Sequence, residues 1–303
     1  MKKIFLGILA IAVLTSCEDA ISVEVEAGET QLSIDGFLNN KNEKQLIQLK
    51  QTKQFFEQSS QVGFIADSVY VLDNLNNKYL FESPLSDGDY TWNDSVMIFP
   101  GRTYSLTIKS EDLTYTATSV ANDVPVIDSL NWEYVPADLG QKNGSYAVEL
   151  VARDLPGQLN YYWIRFLKEG EYDTRIEGLN FSVDGSFSET SQGDGQLFIP
   201  PISTLVAYDV EDSVGLGDNV TYEIWGITPE TYSFWQEVSN QAIQGGGIGA
   251  LFATPTANVN TNIISPNTGD VKNKAVGWFS TSVVESATDV IVDRDYEKLS
   301  FEI

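Results

Sequence analysis

Cys17 is the only cysteine in 303 residues and the residue best suited to covalent chemistry. It closes the tetrad Leu14-Thr15-Ser16-Cys17, with a branched apolar residue three places ahead and a small residue directly before it. That spacing fits the bacterial lipobox, in which the thiol is acylated and the chain is then cut in front of it. Lys2 and Lys3 precede an apolar run from Ile4 to Leu14, the charged and apolar regions of an export signal. The run is too short to span a bilayer as a helix. The expectation is a signal peptide at 1–16, a lipid-bearing Cys17 and a tether through residue 30. A secretory signal that meets a cysteine by chance is the other reading.

Further chemistry is sparse. Histidine is absent, which removes the commonest general base and the commonest transition-metal ligand. Asp209, Glu211, Asp212 and Asp218 supply oxygen ligands that calcium would accept, as do Asp184, Glu189 and Asp194. Neither group has the order of carboxylates and glycine that a calcium loop requires, so solvated loops are expected and no metal or cofactor is assigned. Gly245-Gly246-Gly247-Ile248-Gly249 lies after a helix pattern rather than before one, and no Gly-Lys-Ser/Thr follows. A phosphate cradle needs glycines at a helix start, so this run reads as a helix stop. Asp-Ser-aliphatic occurs at Asp67-Ser68-Val69, Asp94-Ser95-Val96, Asp128-Ser129-Leu130 and Asp212-Ser213-Val214. It resembles the acceptor for O-linked glycans on exported Bacteroidetes proteins, with Ser68, Ser95, Ser129 and Ser213 as acceptors. Turn ends that open strands give the same pattern.

Composition bounds the partners. Loss of residues 1–16 leaves 16 basic and 43 acidic side chains, a formal charge of −27. Self-repulsion of that size favours solubility and opposes nucleic acid or anionic lipid as a direct partner. With the single thiol given to lipid, no disulfide remains, and core burial must hold the fold. An apolar content of 42% and an aromatic content of 12% make that feasible.

The elements follow period two for most of the chain. Leu32 and Ile34, Ile47 and Leu49, Val69 and Val71, and Tyr104, Leu106 and Ile108 alternate with other residues, with Gly, Asn, Asp and Pro between the runs. These predict an Ig-like β-sandwich at 31–124. Val124-Pro125-Val126-Ile127-Asp128 reads as the bridge to a larger β-rich domain at 125–303. There Tyr146, Val148, Leu150 and Ala152 form one strand face, Tyr162, Ile164 and Phe166 alternate with Trp163 and Arg165, and Val220, Tyr222 and Ile224 make another strand. One helix is predicted near 229–243: Thr228 caps it, Pro229 opens it, and Glu230 faces the positive end of its dipole. Trp235, Val238 and Ala242 would form its packed face. The fold class is mainly β, two-domain, with one or two short helices.

In order and spacing these features resemble a family of Bacteroidetes lipoproteins known chiefly as a domain of unknown function. The resemblance rests on Cys17-Glu18-Asp19, Leu32-Ser33-Ile34-Asp35-Gly36-Phe37-Leu38, Ala66-Asp67-Ser68-Val69-Tyr70-Val71 and Pro100-Gly101-Arg102-Thr103-Tyr104. Asp154-Leu155-Pro156-Gly157, Gly217-Asp218-Asn219-Val220, Thr228-Pro229-Glu230-Thr231-Tyr232 and Val276-Gly277-Trp278-Phe279-Ser280 continue it. It implies an outer-membrane lipoprotein, commonly encoded beside TonB-dependent receptors that carry a carboxypeptidase-regulatory-like plug extension. Glu18 and Asp19 resemble the signal that sends such lipoproteins to the cell surface; a periplasm-facing position is the alternative. The family supplies neither catalytic residues nor a ligand.

The expected function is therefore non-catalytic: an accessory of a TonB-dependent receptor in nutrient uptake, capturing ligand or capping the receptor. A free-standing module or adhesin for surface glycan or protein is the first alternative. A carboxylate-dependent glycoside hydrolase is the second, since paired acids are brought together only by folding.

Overall fold

The computed structural model describes residues 29–53, 61–93, 95, 97–137, 144–175, 178–186, 193–205, 213–244, 259–266 and 268–293. The fold is mainly β, as the alternation predicts. Strands β1 (Leu32–Asn39), β2 (Gln45–Gln51) and β5 (Asp89–Trp92) lie in one sheet, and β3 (Ser68–Asp73), β4 (Lys78–Phe81), β6 (Thr103–Ser110) and β7 (Leu113–Val120) in a second, ordered β4-β3-β6-β7. Period-two burial explains why these sheets face each other. Ile34 and Leu38 of β1, Ile47 and Leu49 of β2, Val69 and Val71 of β3, and Tyr104, Leu106 and Ile108 of β6 all point into one shared core.

The first sheet has a fourth strand from far along the chain. β15 (Ala275–Ser282) pairs parallel with β1, from Leu32 opposite Ala275 to Asn39 opposite Ser282, giving the order β15-β1-β2-β5. Phe279 of β15 and Ile263 ahead of it enter the same core. The first sheet thus takes one strand from beyond residue 124, a pairing the expected division at 31–124 did not include. Alternation shows that a strand is half-buried, but not which partner its edge will find.

The second layer pair is built from β8 (Ile127–Val135), β9 (Ser145–Ala152) and β13 (Thr204–Leu205) on one side. On the other lie β10 (Tyr161–Lys168), β11 (Glu171–Tyr172), β14 (Asn219–Ile227) and β16 (Val284–Val290), in the order β11-β10-β14-β16, with β12 (Asn180–Val183) also pairing β10. Val148, Leu150, Tyr162, Ile164, Tyr222 and Ile224 fill its core. Val124, in the expected bridge, packs against both cores. β15 ends at Ser282 and β16 begins at Val284, so the chain passes from the first body to the second across a single residue.

Helix α1 (Pro229–Gln244) forms where its signals predict. The Thr228 hydroxyl accepts the amide hydrogen of Thr231 at 3.2 Å, capping the first turn. Trp235 packs inward as expected, but Ala242 is exposed, so the buried face ends before the last turn. A third apolar cluster forms at this joint: Tyr161, Trp163, Trp225 and Ile227 from the outer face of β10 and β14 meet Phe37, Phe181, Tyr232 and Trp235. Its aromatic rings sit at edge, tilted and stacked geometries with centroids 5.0–6.3 Å apart, as in the tilted Trp163–Trp235 pair at 5.0 Å and the stacked Phe181–Trp235 pair at 6.3 Å.

Candidate functional site

The same alternation that fills the cores decides what the outer faces display. On β1, Ile34 and Leu38 point inward, so Asp35 and Phe37 point out. On β2, Ile47 and Leu49 are buried, while Leu46 and Gln48 face outward. On β10 and β14, Tyr162, Ile164, Tyr222 and Ile224 enter the second core. Trp163 lies opposite Trp225 in the ladder and Arg165 opposite Glu223, all on the other face. Phe37 closes the joint between the bodies, its ring 5.3 Å from Trp235 and 6.2 Å from Trp163. Beside it lies a cavity of about 270 Å³ whose walls include Asp35, Phe37, Lys44, Gln48, Arg165 and Trp225.

One wall is a closed polar network. The Lys41 ammonium donates to the Tyr172 hydroxyl at 2.9 Å and to Glu223 Oε1 at 3.0 Å, and lies 3.3 Å from Glu43. Tyr172 Oη and Trp225 Nε1 both donate to Glu223 Oε2, at 2.9 and 2.8 Å. Burial alone would lower the pKa of Lys41, but the bonds it donates to Tyr172 and Glu223, with the charge of Glu223, outweigh it and hold the ammonium above its usual range. Glu223 is 3% exposed, and both of its carboxylate oxygens accept hydrogen bonds from these partners.

Arg165 differs. Its guanidinium carbon lies 3.5 Å from the Tyr172 ring centroid, 4.4 Å from Trp163 and 5.0 Å from Trp225. The faces of the cation are thus covered by aromatic rings, a contact contributing about 0.5–2 kcal/mol. Among the described residues it has no hydrogen bond and no ion pair. Burial pulls its pKa down, partly offset by the fields of Tyr172, Glu223 and Glu43, yet a guanidinium keeps its charge at any physiological pH. The Asp35 carboxylate, in the groove, has no side-chain hydrogen bond or ion pair among the described residues, and desolvation in the groove pushes its pKa up. A second cavity of about 380 Å³ shares Lys44 and Leu46 with the first and is walled by Pro84, Leu85, Asp87, Asp89 and Thr91. Leu85 is 80% exposed there.

The residues singled out from sequence fall elsewhere. Cys17, Glu18 and Asp19 lie outside the described residues, as do Asp209, Glu211, Asp212, Glu189 and Gly245 to Gly249. Asp218 accepts the amide hydrogen of Gly215 at 2.9 Å and pairs with Lys168 at 3.3 Å. Asp184 is buried and accepts the amide hydrogen of Asn160 at 2.7 Å, and Asp194 accepts that of Gly157 at 2.7 Å. These three acids pin loops. No cluster of three potential metal-ligating side chains occurs among the described residues. Ser68 opens β3 and is half-buried, as are Ser95 and Ser213; Ser129 is exposed on β8 at a register shift. Ser95 and Ser213 lie between strands, so the four do not share one face. Arg165 was visible in the sequence only as a polar alternate beside Trp163. The signal that marks it is a Trp and an Arg two residues apart on the outward face of a strand.

A model of a domain of unknown function, DUF4249, matches residues 18–288. The chain belongs to that family. A second model, the prokaryotic membrane lipoprotein lipid attachment site, matches residues 1–17 and ends on Cys17. The protein is a membrane-anchored lipoprotein of this family, and no curated protein is similar to it in sequence. No helix among the described residues is long and apolar enough to cross a membrane.

Proposed function

We propose that this lipoprotein is a non-catalytic capture module at the joint of whose two bodies a ligand binds, and that it serves a TonB-dependent receptor at the outer membrane. The observation that carries the capture reading is the groove itself: Arg165, held by three rings and without a side-chain hydrogen bond or ion pair among the described residues, lines with Asp35 a cavity walled by both bodies. Glu43 and Glu223, the other acids at that site, are committed to Lys41, which speaks against a free pair of carboxylates for hydrolysis. The lipid attachment site and the acidic pair Glu18 and Asp19 after it support an outer-membrane, surface-facing position in a Bacteroidetes cell. The receptor partner comes from the resemblance given above. Two proteins confined to one membrane gain effective concentration, so a weak contact is enough.

The test is purification of the full lipoprotein from detergent-solubilised membranes at native expression. A TonB-dependent receptor should co-purify, and radiolabelled fatty acid should mark the chain but not a Cys17→Ala form. Absence of any such receptor refutes the accessory role. In the same preparation, an intact mass above that of the acylated chain would support glycans on Ser68, Ser95, Ser129 or Ser213, and an unshifted mass would remove them.

A further inference from the structure

Resting on the capture reading, we infer that Arg165 is the anchor for a free carboxylate, and that the groove takes short zwitterionic peptides ending in an apolar residue. A guanidinium offers five N–H donors in a planar fork that matches the two oxygens of a carboxylate. Here Tyr172, Trp163 and Trp225 lie around it, leaving its polar edge as the part still to be bonded. The neighbouring acids cannot supply that bond in the present arrangement. Glu223 already accepts from Lys41, Tyr172 and Trp225, and Glu43 from Asn39 with Lys41 beside it. They lend field to the cation without giving it an oxygen. Desolvated polar groups without partners are costly, and a ligand that supplies the missing acceptor recovers that cost on binding.

The other walls narrow the class. Asp35 lines the same cavity and has no partner of its own among the described residues, so it offers an acceptor to an ammonium. The chain as a whole carries a charge of −25, which repels polyanions and leaves monoanionic or zwitterionic ligands favoured. The first cavity, about 270 Å³, sits below the range of roughly 300–1,000 Å³ that holds drug-sized ligands. It fits the end of a chain rather than a large rigid molecule. The adjoining cavity, with Leu46, Pro84 and Leu85 in its wall, gives an apolar side chain somewhere to lie. Sugar hydroxyls would gain little from those three residues.

The experiment uses the full lipoprotein in detergent micelles and follows tryptophan emission, since Trp163 and Trp225 flank the anchor. The probes are glycylglycylleucine, its C-terminal amide, its N-acetyl form, digalacturonate as a sugar acid, and maltohexaose as a neutral sugar. Expected is binding of the free peptide, with a loss of about tenfold or more for the amide. Arg165→Gln should lose a similar factor, and Arg165→Lys should recover only part, because a point charge replaces a fork. Asp35→Asn should weaken the free-amine peptide and leave the N-acetyl form unchanged. Equal binding of acid and amide would overturn the inference, and that comparison needs no variant to fold. Preference for digalacturonate over the peptide would also overturn it. If neither acid binds but neutral maltohexaose does, with an affinity that Arg165→Gln does not alter, the carboxylate class falls while capture stands. If no probe binds at all, the inference falls, and receptor co-purification separately decides the accessory role.

Discussion

Gly277 sits at φ +97° in β15, where it faces Ile34 of β1 in the parallel ladder. A methyl group added there would land on the carbonyl oxygen of Ile34, well inside van der Waals contact, with the Ile34 carbonyl carbon and amide nitrogen close behind. Gly277→Ala therefore carries two costs. The left-handed backbone strains any L side chain by about 1–3 kcal/mol. The clash then pushes β15 off β1, and each buried ladder group left unbonded costs about 1–3 kcal/mol more. Gly157, at φ +93° in a turn with nothing within 4 Å of its added methyl, provides the control for strain alone. With one ladder group lost, Gly277→Ala should thus destabilise by about 2–6 kcal/mol, against about 1–3 for Gly157→Ala, out of a total of about 5–15. Urea unfolding of both variants, followed by tryptophan emission, reads the difference through the midpoints. If the two variants lose stability equally, the pairing of β15 with β1 is not what Gly277 protects, and the reasoning fails.

Two further outcomes follow from buried polar groups. Burial alone would raise the pKa of Asp73, but bonds from Asn77, the amide of Leu75 and Arg102 outweigh it and hold the carboxyl below its usual range. The unfolded group titrates near about 3.9, so the ionised Asp73 stabilises fully above that pH and the contribution is lost as pH falls through the folded value. Asp73→Asn should cost about 2–4 kcal/mol at neutral pH, with the gap to the unaltered protein closing in urea melts taken below about pH 4. Trp235 buries its indole N–H without a hydrogen-bond partner among the described residues, whereas Trp278 donates its own to Thr231 at 3.0 Å. Trp278→Phe should therefore destabilise by about 1–2 kcal/mol more than Trp235→Phe, measured by thermal melting; the reverse order would show that Trp235 has a partner in solution.

Much of the fold is local and was readable. Tyr104, Leu106 and Ile108 alternate because one face of β6 must enter a core, and Thr228-Pro229-Glu230 opens α1 because caps act within one turn. Long-range pairing has no such signature. Val276-Gly277-Trp278-Phe279 announces a strand, but nothing in its pattern names β1 as the neighbour, so the first body was drawn without its fourth strand. Ala242 continues the helical period of Trp235 and Val238 and yet is exposed. Period gives the direction of a side chain, not the extent of the surface it meets.

The groove was hidden for a related reason. Arg165 obeys the alternation of β10 and would pass for a solvated surface residue; what makes it unusual is Tyr172 from β11 and Trp225 from β14, brought alongside only by sheet order. The opposite wall, Asp35 and Phe37, belongs to β1, whose position is set in turn by β15. Since β15 runs into β16 across Val283 alone, and β16 pairs with β14, the strand that fixes one wall is tied to the strand that carries Glu223 and Trp225 on the other. The two walls are thus linked by covalent continuity and ladder bonds as well as by the aromatic joint, and linkage of this kind lowers the cost of ordering a groove on binding. Displacing β15 should accordingly loosen Asp35 and Phe37 together with the first core. Any carboxylate affinity lost in Gly277→Ala but kept in Gly157→Ala would trace to that shared strand.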